Sequence, residues 1–302
     1  RDDEAFASYK NRNKAALLNQ EMNPNVAFSD SITFALQMGH PRTIRMKADM
    51  IDNMDYNKIL AMYQDRYKDA SDFTFILVGN VDVESMKPLI AEYLGALPAI
   101  NRKESFKDNK IEYRKGVYKN EFVREQETAK ASNFVSFIGT CKYDLKNSIL
   151  QDMTCQIMDL VYTEKVREDE GGTYGVYVGG NLSKYPKEIA GIQIVFDTAP
   201  SKREKLMKII FAEIERISKE GPSEANLNKV KEFMLKKHAE DLKENSYWME
   251  SIDEYLFTGM NPIKDYEQTV NSITAKDIQK FADDLFKQKN EVEVSMISPD
   301  KE

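Results

Sequence analysis

Histidine and cysteine are scarce in this 302-residue chain: it carries only His40, His238, Cys141 and Cys155. Hydrolytic zinc sites take at least three protein ligands, usually including imidazoles. Neither histidine has a second one four residues away, so a metal site wholly inside this chain is not expected. His40, in Gly39-His40-Pro41, reads as a capping or surface residue, and His238, in a charged helical run, as a solvated one. The cysteines lack C-x-x-C spacing, which removes redox and zinc-knuckle readings and leaves two free thiols. No stretch of 18 apolar residues occurs, so nothing is expected to span a membrane. Thirteen Gly and nine Pro are too few for a fibrous or low-complexity chain. There is no basic block, and 43 Lys and Arg against 50 Asp and Glu leave a net charge of −7. That balance disfavours sequence-independent binding to nucleic acid or to anionic membranes. The start, Arg1-Asp2-Asp3-Glu4, has neither an initiator Met nor a signal-peptide core and reads as a piece of something longer.

Several catalytic signatures are missing as well. There is no G-x-S-x-G elbow, no P-loop and no G-x-G-x-x-G. The doublets Gly171-Gly172 and Gly179-Gly180 lack the flanks of a phosphate cradle. Fifty acidic residues spread over charged helices mark solvated faces, not a site.

What remains is a well-stocked globular chain, 41% hydrophobic with 15 Phe and 15 Tyr. Its length suggests two domains. Hydrophobic periodicity predicts helices near 2–20, 27–38, 55–69 and 83–94, with a strand at 73–78. Residues 101–116 read as a solvated linker between domains. Beyond Gly116, strands are expected near 117–124, 131–139, 173–182, 189–198 and 292–297. Helices are expected near 145–168, 201–219, 223–244, 246–258, 263–271 and 274–288. The short connection between strands 173–182 and 189–198 predicts an antiparallel pair, with helices collected on one face. The class is α+β, a layered sheet and not a doubly wound one.

An internal repeat cuts across the two-domain prior. At an offset of 219, Ile51 meets Val270, Met54 meets Ile273, and Asp55 meets Thr274 as N-caps. Ile59 then meets Ile278, Met62 meets Phe281, Tyr67 meets Phe286, and Phe73 and Phe75 meet Val292 and Val294. After a one-residue slip, Ser31, Leu36 and Gly39 meet Ser251, Leu256 and Gly259. Agreement of caps, core positions and strand in order favours duplication. Residues 117–302 then form a nearly whole copy, and 1–100 only the trailing part of another whose leading strands are missing.

One constellation carries chemistry. In Val166-Arg167-Glu168-Asp169-Glu170-Gly171-Gly172-Thr173-Tyr174 a long helix ends, breaks at two glycines and re-emerges as a strand. Such a turn can set a guanidinium and a phenol side by side at a sheet edge, donors suited to a carbonyl or a developing oxyanion. An ordinary helix-to-strand turn, with Arg167 bonded to Glu164 or Glu168, fits the same residues.

At this stretch the chain resembles the pitrilysin/insulinase family of zinc metallopeptidases, the inverzincins. The segments FTFILVGNVDVESMKPLIAEYLGALP (73–98), VREDEGGTYGVYV (166–178) and IVFDTAPSKREKLMKIIFAEIERISKEGPSEANLNKVK resemble that family in order along the chain. The resemblance implies four homologous α+β domains of the LuxS/MPP metallopeptidase-like type around a chamber. Here 1–100 would be the end of the third domain and 117–302 the fourth. It implies zinc held by H-x-x-E-H and a distant Glu in the upstream half, and none of that motif stands in this sequence. Arg167 and Tyr174 match the family's Arg and Tyr spaced seven residues apart. The resemblance implies that Tyr174 stabilises the oxyanion and that Arg167 holds a substrate carbonyl. The implied partners are a peptide substrate and the zinc-bearing half, fused or separate, with a lean towards the periplasm or cell envelope. A family member that has lost catalysis and serves as a structural or peptide-binding subunit is the alternative.

Overall fold

The computed structural model describes residues 1–165 and 175–299. Its leading part is helical: α1 (Asp3–Glu21), α2 (Pro24–Gln37), α3 (Ala48–Asp52), α4 (Tyr56–Tyr67) and α5 (Val83–Tyr93). Each long helix starts at a side-chain cap that accepts an otherwise unpaired amide, such as Asp55 from the Asn57 and Lys58 N–H groups. The strand expected at 73–78 is absent. Among the described residues no backbone hydrogen bond involves 74–78, and Phe73, Phe75 and Leu77 stand 39%, 46% and 47% exposed. A strand needs a neighbour to pair with, and none reaches it.

No helix or strand forms between residues 94 and 116, but both ends of the expected linker are pinned. The fully buried Asp69 accepts hydrogen bonds from the Ser71 N–H and hydroxyl and from the Ile100 and Arg102 amides, at 2.6–3.0 Å. Those bonds, the Ser71 hydroxyl first, hold its carboxyl well below the usual range. At the other end Arg114 donates to the Ala35 carbonyl at 2.6 Å and stacks over Tyr118 at 3.9 Å.

The remainder is built on one five-stranded sheet: β1 (Val117–Val123), β2 (Ala131–Thr140), β3 (Val176–Ser183), β4 (Ile189–Thr198) and β5 (Glu291–Ile297), in the order β1-β5-β2-β4-β3. β1 and β5 run parallel, and every other pair is antiparallel. The expected pairing of β3 with β4 is there, with Val178 opposite Ile194. One face carries α6 (Leu145–Tyr162), α7 (Arg203–Glu220), α8 (Glu224–Asp241), α10 (Tyr266–Ser272) and α11 (Ala275–Phe286), either on the sheet or on one another, and α9 (Asn245–Thr258) meets α8 where Tyr247 packs on His238. The i, i+3/i+4 stripes Ile149-Met153-Ile157, Leu206-Ile210-Ile214 and Ile278-Phe281-Leu285 pack with Val135, Phe137, Ile192, Ile194 and Phe196 in one core. Each such side chain contributes roughly 1.5–3 kcal/mol by leaving water.

Helices are not confined to one face. Phe28, Ile32, Ala35 and Leu36 of α2 pack on the opposite face, against Phe134, Val292, Val294 and Met296. β5 is therefore covered on both sides and paired on both edges. On the face away from α2 its residues are polar. Arg203 donates to Asn133 Oδ1 at 3.0 Å and Ser295 Oγ at 2.9 Å and pairs with Glu121 at 2.8 Å. Lys119 pairs with the buried Glu293.

The repeat has a structural counterpart. α4 and α11 are both 12 residues long, and both their ends lie 219 apart. α2 and α9 are both 14 residues long and end in left-handed caps at Met38 and Gly259. Those caps lie 221 apart, one residue beyond the alignment read from Ser31 and Gly39. α1 and α8 start 221 apart as well.

Truncating Phe28 to Ala is expected to cost about 3 kcal/mol, because its ring fills the contact between α2 and the sheet. Chemical denaturation with an unchanged m-value would measure it, and a loss under 1 kcal/mol would mean that α2 is not anchored there. Burial, then the hydrogen bond and charge of neighbouring Glu293, push Glu291 up to about 7. A raised carboxyl contributes stability below its unfolded value near 4.5 that fades as pH rises through 7. Glu291→Gln should flatten that decline and stabilise the protein at pH 8 by on the order of 1–2 kcal/mol, read from thermal melts between pH 5 and 8.

Candidate functional site

Arg167 and Tyr174 lie outside the described residues, which break off at Lys165 and resume at Gly175. What the structure gives is the frame that holds both ends of that segment. Tyr162, at the end of α6, is fully buried and donates to the Ile210 carbonyl at 3.0 Å. Burial pushes its phenol well above its ordinary value, so it stays a neutral donor. Three residues on, Lys165 pairs with Glu213 of α7, whose other oxygen accepts from Arg216 Nε at 2.7 Å. Glu213 is 7% exposed. Burial pushes its carboxyl up, but the hydrogen bonds from Lys165 and Arg216 outweigh burial and hold it below the usual range.

Where the described residues resume lies β3, an edge strand whose only neighbour among the described residues is β4. Asp159 of α6 accepts the Val178 amide at 3.3 Å, tying edge strand to helix. The described part of this strand begins at Val176; the expected start at 173 and Tyr174 lie outside the described residues. Beside this edge a cleft of about 360 Å³ is lined by Gln156, Asp159, Leu160, Tyr177, Val178 and Phe233, among others. Tyr177 and Phe233 are 61% and 56% exposed, so they present large apolar surface at this cleft. Sequence reasoning missed Asp159, Tyr177 and Phe233. Strand alternation at Val176-Tyr177-Val178 was the available signal for Tyr177.

The other chemistry-bearing residues are occupied structurally. His40 is satisfied on both nitrogens: Nδ1 accepts the Arg42 amide at 3.2 Å, and Nε2 lies 3.1 Å from the Asn109 carbonyl. His238 is buried, not solvated as its charged neighbours suggested. α9 and α10 close over it, so that Nδ1 lies 3.0 Å from the Tyr247 hydroxyl and the ring stacks on Tyr266 at 4.2 Å. Cys141 and Cys155 are both free, as expected, and burial pushes their thiols up to about 11 and about 12. Neither is a ready thiolate ligand. Among the described residues no group of three or more His, Cys, Asp and Glu could hold a metal ion. No described helix is long and apolar enough to cross a membrane.

Comparison with known proteins agrees with this frame. Residues 53–234 match the family described as the peptidase M16 inactive domain. A zinc protease PQQL-like protein of Arabidopsis thaliana is 25% identical over 252 residues, covering 77% of this chain and 26% of the relative. The periplasmic protease PqqL of Escherichia coli superposes with a TM-score of 0.82 at 16% identity, covering 99% of this chain and 33% of that one. A peptidase M16 inactive domain from Pseudomonas fluorescens gives 0.74 at 18% identity, covering 99% and 71%. The chain thus spans about a quarter of the plant relative's length and a third of the bacterial protease's. It is a mixed α/β domain of the M16 type, similar to the non-catalytic half of such proteases, and it belongs to the M16 peptidase family through that family's inactive domain.

Proposed function

We propose that this chain is the substrate-enclosing, non-metal half of a zinc-dependent endopeptidase. The observation that carries the proposal is the match to the inactive domain of a peptidase family, joined to an edge strand that begins at Val176, two residues after Tyr174 in the sequence. The residues present do not fit zinc: one histidine is buried against tyrosines, the other is hydrogen-bonded on both nitrogens, and both thiols are raised. Any zinc belongs to residues outside this chain, in the half that completes the enzyme, and supplies Lewis acidity there.

The work assigned to this chain is to bind, orient and donate. A peptide has unpaired amides and carbonyls that an edge strand can meet by β-addition, and β3 offers such an edge beside the apolar cleft under Tyr177 and Phe233. Arg167 holds a substrate carbonyl through its fork of N–H donors. Tyr174 donates its phenolic proton to the oxygen that gains charge as the carbonyl becomes tetrahedral. Closure of the two halves brings these donors to the reacting carbonyl only when a peptide is enclosed. The periplasmic location of the E. coli protease supports an envelope location for this one.

In the complete two-half protein, Tyr174→Phe and Arg167→Ala should each lower kcat/KM for peptide hydrolysis about 100-fold with bound zinc unchanged by metal analysis. Full turnover in both variants would sink the assigned roles. Glu213→Ala strips the partner from Lys165 and Arg216 and should cost about 2–3 kcal/mol. Because Glu213 is held below its unfolded value, its contribution is present at neutral pH and lost as pH falls below about 4.5. Melts of the wild type and Glu213→Gln should therefore begin to converge only as pH falls below 4.5 and the carboxylate takes up its proton. A gap unchanged from pH 7 down to pH 2 would show that the charge is not what Glu213 supplies.

A further inference from the structure

Helices α6, α8, α9 and α10 meet around a cavity of about 300 Å³ that has no part in the roles given to Arg167 and Tyr174. Ser148, Asp152 and Gln156, spaced one turn apart on α6, line it with His238 of α8, Tyr247 of α9 and Tyr266 of α10. Ile149, Met234 and Met260 add apolar wall. Three acceptors in this lining have nothing to accept from. Among the described residues the Asp152 carboxylate has no hydrogen bond and no ion pair, and the Tyr266 hydroxyl has no partner. His238 is 5% exposed, and of its two nitrogens only Nδ1 is engaged, by the Tyr247 hydroxyl. The remaining charges in the lining cancel, because Lys237 pairs with Asp241. The Asp152 side chain is open to the cavity, yet the walls keep enough water from it to push its carboxyl up to about 6. Burial is the cause, and no cation lies near enough to oppose it. Burial first, and neighbouring carboxylates second, hold Tyr247, Tyr266 and the nearby Cys155 thiol neutral.

We propose that this cavity binds a primary alkylammonium group, with Asp152 as its counter-charge and the Tyr266 oxygen and His238 Nε2 as its further acceptors. An ammonium carries three N–H donors and no acceptor, which matches a lining of three acceptors and no free donor cation. When His238 donates its Nδ1–H to the Tyr247 oxygen, Nε2 presents a lone pair. The faces of Tyr247, Tyr266 and Phe233 favour a cation, and the apolar wall takes its hydrocarbon stem. An anionic ligand finds no unpaired cation here, and a metal ion finds one free carboxylate where it needs several ligands. Two sources can present such a group: a free amine, or the side chain of a lysine in a peptide. Gln156 and Phe233 line both this cavity and the cleft beside β3, so a peptide on that edge has a side-chain path into the cavity. The lysine source rests on the reading of β3 as a peptide-binding edge, and the ammonium site itself does not.

Calorimetric titration of the 302-residue chain with n-pentylammonium, joined to NMR of the histidine rings, tests the site. The chain has only two histidines, so His40, hydrogen-bonded on both nitrogens elsewhere, is the internal control. n-Pentylammonium should bind and shift the His238 ring alone. n-Pentanol, with the same stem and no charge, should leave both rings unmoved at the same concentration. Asp152→Asn should weaken n-pentylammonium at least about 10-fold. The same variant should melt higher than the wild type at pH 8, because a carboxyl with a raised value costs stability once it ionises, and that gain should shrink as pH falls through 6. Binding of n-pentanol as tight as that of the amine, undiminished amine binding in Asp152→Asn, or a His238 ring that does not move overturns the site. A lower melting temperature for Asp152→Asn at pH 8 also overturns it, since Asp152 would then serve the fold. A blocked peptide with one lysine among alanines identifies the source: tighter binding than n-pentylammonium assigns a lysine side chain, weaker binding a free amine, and both uphold the ammonium site. The Tyr174 and Arg167 variants leave this cavity unchanged and judge the peptidase reading separately.

Discussion

The structure depends on one strand that must be paired on two edges and covered on two faces. β5 is the last element of the chain, yet it lies between β1 and β2, the first two strands of its sheet. Residues 117–140 therefore cannot complete their ladder until residues 291–297 arrive, and the six helices between α6 and α11 have to be in place around that closure. Such non-local pairing carries a loop-closure cost, offset here by burying apolar side chains on both faces of the sheet. Val292, Val294 and Met296 meet α2 on one side. On the other, Glu293 and Ser295 are satisfied by Lys119 and Arg203.

The same constraint orders the far side of the sheet. With β5 and β2 central, β3 is left as an edge, and the end of α6 is held against it by Asp159. Tyr162, Lys165, Glu213 and Arg216 fix where α6 stops. Burial and ion pairing at Glu213 tie the residues that follow α6 to α7.

Much of this was legible in the residues themselves. β4 was bounded correctly at 189–198 by its apolar run and turn neighbours, and α4 and α11 start at the caps expected of them, Asp55 and Thr274, though each ends two residues sooner than its stripe suggested. The segment at 73–78 carries a strand pattern, but pattern alone does not make a ladder, and without a pairing neighbour the expectation failed. His238 misled for a related reason. Its sequence neighbours are charged, and only the packing of Tyr247 and Tyr266 from helices nine and 28 residues on removes it from water.

By itself the sequence determined the chemistry on offer: too few imidazoles and thiols for a metal, no nucleophile motif, a repeat of helices and strand, and an Arg–Tyr pair across two glycines. Those are local properties, fixed by residue type, period and spacing. Tertiary structure decided which strand is an edge, which faces are covered and by which helix, and which buried acid braces the end of α6. These depend on contacts between residues far apart in the chain, such as Phe28 on Val294 or Lys165 on Glu213. No periodicity encodes them, because a period records only which side of an element is apolar and not what comes to lie against it.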